Sequence, residues 1–344
     1  MAIDRQQAFS GTSDEGTGFA PGPLEEWLTA AIPGFEGPMA LARFKGGQSN
    51  PTYKITTPTA AYVLRKKPSG KLLPSAHAIE REYRITAFLY GRGFPVARPH
   101  ALCTDESIIG TPFYVMAFAD GRIFWEPHRA PVFDAMNRAI ADLHLMPLGG
   151  IEDFGKPQGY VARQVKRWSQ QYRASQTGPI AEMDRLMAWL PDAVPGSNDA
   201  AIVHGDFRID NCIIHASEPR ILAVLDWELA TLGDPLADFS YHLMQWHMPV
   251  SDHGIASLIG HGRDIGIPPR DDYISLYCER TGRTGIPDLD IYLAYNFFRL
   301  AAILQGIAGR VRDGTAANPH AADMIKQIIP LAETAWAFAR KAGA

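Results

Sequence analysis

At 344 residues the chain exceeds what one hydrophobic core ordinarily organises, so two lobes are expected. Hydrophobic residues make up 46 %, enough for a sizeable core, and a formal net charge of −4 without a long block of like charge speaks against nucleic acid as a partner. Three scattered cysteines, Cys103, Cys212 and Cys278, form no C-x-x-C pair; they speak against a structural zinc site and fit a reducing cytoplasm.

Residues 1–22 are rich in Gly, Ser, Asp and Pro and are expected to be a flexible lead-in. They lack a basic segment followed by an apolar one, so secretion is not expected. No uninterrupted apolar run approaches bilayer length, so no membrane is expected either. A short helix begins at Pro23, with Leu24, Trp27, Leu28 and Ile32 on its apolar side. Two strand-like runs then flank Gly46-Gly47-Gln48-Ser49-Asn50. Glycines there let backbone N–H groups approach phosphate oxygens, although a bare hairpin turn is the alternative. No Walker A pattern occurs.

Ala60–Pro68 reads as a strand ending in Arg65, Lys66 and Lys67, with both lysines expected in solvent. Pro74–Leu89 reads as a helix from the spacing of Ile79, Tyr83, Ala87 and Tyr90. Strands follow at Ala101–Thr104 and Phe113–Ala117. Beyond them the pattern turns helical: Phe133–Met146, with His144 as a capping or buried histidine, then Gly159–Ser175, and Ile180–Leu190 stopped by Pro191.

The central stretch, Ala201–Phe239, reads as strand, loop, hairpin and helix start. His204-Gly205-Asp206 follows the strand Ile202-Val203. Cys212–Ile214 and Ile221–Leu225 flank a turn, and centring it on Glu218-Pro219 sets Asn211 opposite Asp226. Asp206, Asn211 and Asp226 form an oxygen-only donor set, which suits a hard cation such as Mg²⁺. The spacing D-x-x-x-x-N from Asp206 to Asn211 supplies a base for an acceptor hydroxyl and an amide for metal. Asp234-Pro235 reads as an N-cap and first position of the next helix, with Asp238 one turn in. Helices are also expected at Ile291–Ile307 and Ala321–Ala342.

His204-Gly205-Asp206, Asn211 and Asp226 together resemble the catalytic loop and metal hairpin of the aminoglycoside phosphotransferase and choline kinase family, relatives of the protein kinases. The resemblance implies an α+β, bilobal protein-kinase-like fold, with an N-lobe at 23–117 and a mainly helical C-lobe at 118–344. It implies ATP and Mg²⁺ as cofactors, Asp206 as catalytic base, Arg208 facing the transferred phosphate, and Asn211 and Asp226 on metal. Gly46, Gly47 and Ser49 would cover the nucleotide phosphates. Arg65 falls where protein kinases carry lysine, a departure that keeps the charge in forked form. Arg81-Glu82-Tyr83 points to Glu82 as its partner. Met116 to Gly121 resembles the inter-lobe hinge, so Met116 and Phe118 would flank the adenine. Asp238 would steady the catalytic loop by accepting backbone hydrogen bonds.

Tyr295–Gly306 resembles the subgroup whose kinase-like domains accompany acyl-CoA dehydrogenases, with Arg299 as a candidate for an anionic acceptor. From Tyr241 onward there are ten acids and ten bases, without the acidic surplus a polycationic aminoglycoside calls for. The expected partner is a small-molecule alcohol such as a hydroxyacyl compound. An aminoglycoside or choline-like acceptor and a catalytically silent nucleotide-binding module are the alternatives.

Overall fold

The computed structural model describes residues 12–13, 18–44, 50–68, 78–123, 130–197, 199–249, 266–315 and 321–344. The chain divides into two compact units, one of residues 1–139 and 208–230, the other of 140–207 and 231–344.

The first unit is built on a six-stranded antiparallel sheet, in order β1-β2-β3-β4-β6-β5. Its strands are β1 (Thr12–Ser13), β2 (Ala40–Phe44), β3 (Thr52–Thr56), β4 (Ala61–Lys66), β5 (Pro99–Cys103) and β6 (Phe113–Ala117). Alternation along β4 sets its two faces. Tyr62 and Leu64 join Tyr53, Ile55 and Val115 in a core closed by Leu24, Leu28 and Ile32, on or just beyond helix α1 (Pro21–Ala31). Val63 turns the other way, toward Tyr114, Met116 and Ile79 of helix α2 (Ile79–Tyr90). Lys66, expected in solvent, is 7 % exposed and its ammonium lies 5.6 Å from the Phe19 ring centre. Burial, with Arg43 nearby, lowers its pKa.

A second, three-stranded sheet has the order β10-β9-β7, from β7 (Arg122–Ile123), β9 (Cys212–Ile214) and β10 (Ile221–Val224). Gly121 allows the close approach of β7 to β9: a Cβ there would stand 2.6 Å from both Ile213 Cγ2 and the Ile214 carbonyl oxygen. The hairpin closes through His215 N–H to Arg220 C=O. With an irregularity between Ile221 and Ala223, it places Val224 opposite Cys212. Leu225 N–H accordingly donates to Asn211 C=O at 2.8 Å. Asn211 therefore faces Leu225, one residue short of the expected pairing with Asp226.

The grouping of 208–230 with the first 139 residues differs from the boundary expected near Phe118. Val224 N–H donates to Pro95 C=O, and Arg81 to Ala230 C=O, so long-range bonds hold the hairpin to the sheet-bearing unit.

The second unit is mainly helical. The division falls within helix α3 (Ala130–Leu145); α4 (Tyr160–Ser175), α5 (Ala181–Ala193), α6 (Pro235–Leu243), α7 (Arg270–Thr281), α8 (Leu289–Arg312), α9 (Ala321–Ile325) and α10 (Ile328–Lys341) follow it. Strands β8 (Ala201–Val203) and β11 (Thr231–Gly233) pair antiparallel. Helix α5 runs through Pro191 instead of stopping there, because a proline in the last turn forfeits only a terminal bond and Val194 N–H closes the helix on Leu190 C=O. Asp234 caps α6 through Leu236 N–H at 2.9 Å, with Pro235 at the first position.

Helix α8 packs against α4, α5, α6, α9 and α10 and is buried nearly all round. Among the described residues it alone is long and apolar enough to cross a membrane by length and composition, although polar residues interrupt its apolar run and most of it is buried inside the fold. It carries buried Asn296, Arg299 and Gln305 and forms the centre of its unit.

Candidate active site

In the first unit, strand β4 and helix α2 bring Arg65 and Glu82 together. Arg65 Nε lies 2.9 Å from Glu82 Oε1, and Nη2 donates to Asp226 Oδ1 at 2.8 Å, with Glu228 Oε2 at 3.7 Å. The guanidinium is thus a forked bridge between the helix and the end of the hairpin, the geometry that distinguishes arginine from lysine. Its burial opposes the charge, but Glu82 and Asp226 outweigh that and leave its pKa raised. Glu82 is 3 % exposed, and Tyr114 O–H donates to Oε1 at 3.2 Å and Asn50 Nδ2 to Oε2 at 3.4 Å. Burial pushes the Glu82 carboxyl up against the pull of Arg65.

Asp226 adopts the left-handed conformation at φ 65°, rare outside glycine. An extended residue following Leu225 would point to the face opposite Asn211. The left-handed turn breaks that alternation and delivers the carboxylate to Arg65. Such strain, of order 1–3 kcal/mol, collects at functional positions. Arg208 Nη1 is paired with Asp210 Oδ2 at 2.9 Å.

Met116 lies in β6, buried with Val63 and Ala223; Phe44, Phe118, Ile213 and Leu225 pack partly buried around them. Lys54 Nζ stands 4.2 Å from the Phe118 ring centre. Ala117 N–H donates to Arg98 C=O and Phe118 N–H to Ala61 C=O, so these two amides are committed to the backbone and not to reading a base edge. Gly46, Gly47 and Ser49 lie outside the described residues.

In the second unit the loop after β8 is held from several sides. His204 N–H and Gly205 N–H donate to the two oxygens of Asp238, at 2.7 and 2.8 Å. His144 Nε2 lies 3.3 Å from Asp238 Oδ2 and its Nδ1 2.8 Å from Tyr277 O–H, which makes His144 a buried brace. Burial alone would raise the Asp238 carboxyl; His144 and the loop amide prevail and hold it below the ordinary value. Asp206 N–H donates to His204 Nδ1 at 3.1 Å, and Asp206 Oδ1 accepts from Tyr241 O–H at 2.5 Å.

Arg299 is not presented to a ligand: it is 5 % exposed and donates through Nη2 to Gly205 C=O at 2.6 Å. A helix position chosen for an anionic acceptor thus turns inward, onto the loop. Tyr241 and Tyr114 were missed in the sequence, yet both had a signal. Tyr241 lies three residues after Asp238 on one helix face, and Tyr114 two before Met116 on one strand face.

Among the described residues no group of three or more His, Cys, Asp or Glu could hold a metal ion. Asn211 and Asp226 sit at the two sides of the hairpin's end, an oxygen-only pair that fits a hard cation completed by water and phosphate, and does not fit zinc.

Compared with known proteins, the chain is 44 % identical over 322 residues to acyl-CoA dehydrogenase family member 10 of Mus musculus, covering 89 % of this chain and 30 % of that protein. It is 41 % identical over 332 residues to acyl-CoA dehydrogenase family member 11 of Gallus gallus, covering 92 % and 43 %. The chain therefore spans less than half the length of these relatives. A crystal structure of a candidate aminoglycoside phosphotransferase from Ralstonia eutropha is 47 % identical, with a TM-score of 0.83 over 94 % of this chain and 99 % of that one. The Plasmodium vivax ethanolamine kinase, at 11 % identity and a TM-score of 0.58 over 86 % and 81 %, shares the fold. The α+β architecture is that of the kinase-like phosphotransferases. The model of the phosphotransferase enzyme family matches residues 40–273, and the chain belongs to that family.

Proposed function

We propose that the chain moves the γ-phosphoryl group of ATP to the hydroxyl of a small hydroxylated acyl compound, of the hydroxyacyl-CoA class. The bond between Pγ and the leaving oxygen of ADP breaks, a bond from the acceptor oxygen to Pγ forms, and the acceptor proton passes to Asp206. Asn211 and Asp226 would hold Mg²⁺, which neutralises charge on the phosphates. Arg65, already anchored by Glu82, would neutralise phosphate charge as well, and Arg208 would add positive charge near the moving group. The apolar patch of Val63, Met116, Phe118 and Ile213 would receive the nucleobase. Little covalent work falls to the protein; positioning and charge supply the rate.

The observation that carries the acceptor class is the company the sequence keeps. The region matched by this chain recurs in polypeptides named as acyl-CoA dehydrogenases, and the even charge balance from Tyr241 onward supports a neutral or anionic acceptor over a polycation. One observation favours a second reading, an aminoglycoside-type acceptor: the 47 % identical Ralstonia eutropha structure bears that description. ATP consumption measured across hydroxyacyl-CoAs, choline, aminoglycosides and sugars separates the two. No turnover with any acyl compound sinks the proposal. In Asp206→Asn, turnover should fall at least 100-fold while Mg-ATP binding persists.

A further inference from the structure

Arg299 is a buried cation on a core helix, with the Asp206 carboxylate among the groups that sustain its charge. Withdrawing a guanidinium from water carries a large desolvation cost that packing alone does not require, since an apolar side chain fills such a place more cheaply. Its geometry shows what it holds. Nη2 donates to Gly205 C=O at 2.6 Å, and the guanidinium carbon lies 5.0 Å from the Tyr241 ring centre and 5.8 Å from that of Trp168. The same Gly205 peptide unit region is held on its N–H side by Asp238, and Gly205 is left-handed at φ 83°. Tyr241, with Arg299 against its ring, donates to Asp206 Oδ1 at 2.5 Å.

We propose that Tyr241 and Arg299 are positioning residues that fix the Asp206 carboxylate. Arg299 pins the backbone immediately before Asp206 and seats the Tyr241 ring; Tyr241 O–H engages one carboxylate oxygen and so orients the other toward an acceptor hydroxyl. A cation against the aromatic face also makes the phenol a better donor to a carboxylate. The inference rests on the reading of Asp206 as the base. It adds that a rotationally soft aspartate on the loop after β8 reaches catalytic alignment through a second helix and a buried arginine. Misplacement of a catalytic group by about 1 Å can cost 100-fold in rate.

The test is steady-state kinetics of the full chain, with ATP and the best acceptor, for wild type, Tyr241→Phe and Arg299→Lys. Tyr241→Phe keeps the ring against Arg299 and loses only the hydroxyl. Its kcat should fall between about 10- and 100-fold with KM for ATP within about twofold. Arg299→Lys keeps charge without the fork and should fall between the two. In urea denaturation, Tyr241→Phe and Asp206→Asn should combine non-additively, as contacting groups do. A Tyr241→Phe enzyme within twofold of wild-type kcat, or additive stabilities, overturns the clamp. A wild type that transfers phosphoryl to no acceptor overturns the proposed function, and the clamp's catalytic purpose with it; the two failures are told apart by the wild-type control.

Discussion

Replacing Arg65 by methionine tests how far the first unit depends on its buried charge bridge. The stem is kept and the guanidinium removed, so Glu82, 3 % exposed, loses its countercharge and keeps the hydrogen bonds from Tyr114 and Asn50. Removing one partner of a buried ion pair costs about 3–5 kcal/mol, because the remaining charge is left in a medium that solvates it poorly. For a unit of this size that corresponds to a fall in melting temperature of roughly 6–20 °C. Glu82 has an escape, which is to take up a proton. Burial already pushes its carboxyl up, and the loss of Arg65 pushes it further. A carboxyl raised in the folded state favours folding below its unfolded value, about 4.3, and that contribution disappears as pH rises through the folded value. The variant should therefore be more destabilised at pH 8 than at pH 5, and the double change Arg65→Met with Glu82→Gln should recover most of the loss. Urea denaturation at the two pH values is the assay. A cost below about 1 kcal/mol at pH 8 would refute the claim that the bridge, and not the surrounding apolar packing, holds α2 to β4.

Other expectations concern separate parts of the molecule. His242 is fully buried, its pKa brought down to about 4 by burial against the backbone bond to Phe207. Its neutral form is the one that folds, so the stability it contributes is full above about pH 6.5 and drains away toward pH 4. About 2 kcal/mol should separate pH 7 from pH 5, and His242→Gln should flatten that slope in urea denaturation. Gly121→Ala drives a methyl group into Ile213 and the Ile214 carbonyl and should cost about 1–3 kcal/mol; an unchanged melting temperature would show that β7 shifts freely. Asp226→Asn keeps a side chain that tolerates the left-handed conformation but removes the charge facing Arg65. Titration of Mg²⁺ in the presence of ATP should show at least a tenfold weaker apparent affinity, and an unaltered curve would remove Asp226 from the metal site.

Short-range pattern carried much of this. The apolar run Cys212–Ile214, the run Ile221–Leu225 apart from its last residue, the Asp234-Pro235 cap and the helical spacing of Ile79 and Tyr83 are properties of neighbouring residues, and they formed as read. The pairing of Arg65 with Glu82 was legible only through resemblance to kinases; no local feature links a strand residue to a helix residue 17 positions on. The slip at Asn211 arose because Ile221 pairs with Ile214, which centres the turn before Glu218-Pro219; the irregularity in β10, which composition does not mark, reduces the slip from two residues to one. Pro191 reads as a stop because its cost depends on whether helix follows, which only the closing bond of Val194 reveals.

By itself, then, the sequence determined which residue types stand at which spacing: an acid, an amide and a second acid around one hairpin, and apolar faces of the correct period for strand and helix. Tertiary structure decided which of the charged groups are withdrawn from water. Lys66, read as solvated, and Arg299, read as a candidate for an anionic acceptor, lie buried, and Asp206 gained a phenol from a helix that begins 29 residues later. The physical reason is that burial and charge pairing depend on the energy of groups brought together from distant parts of the chain. A cation's fate is set by the neighbours it meets after folding and not by those beside it in the chain.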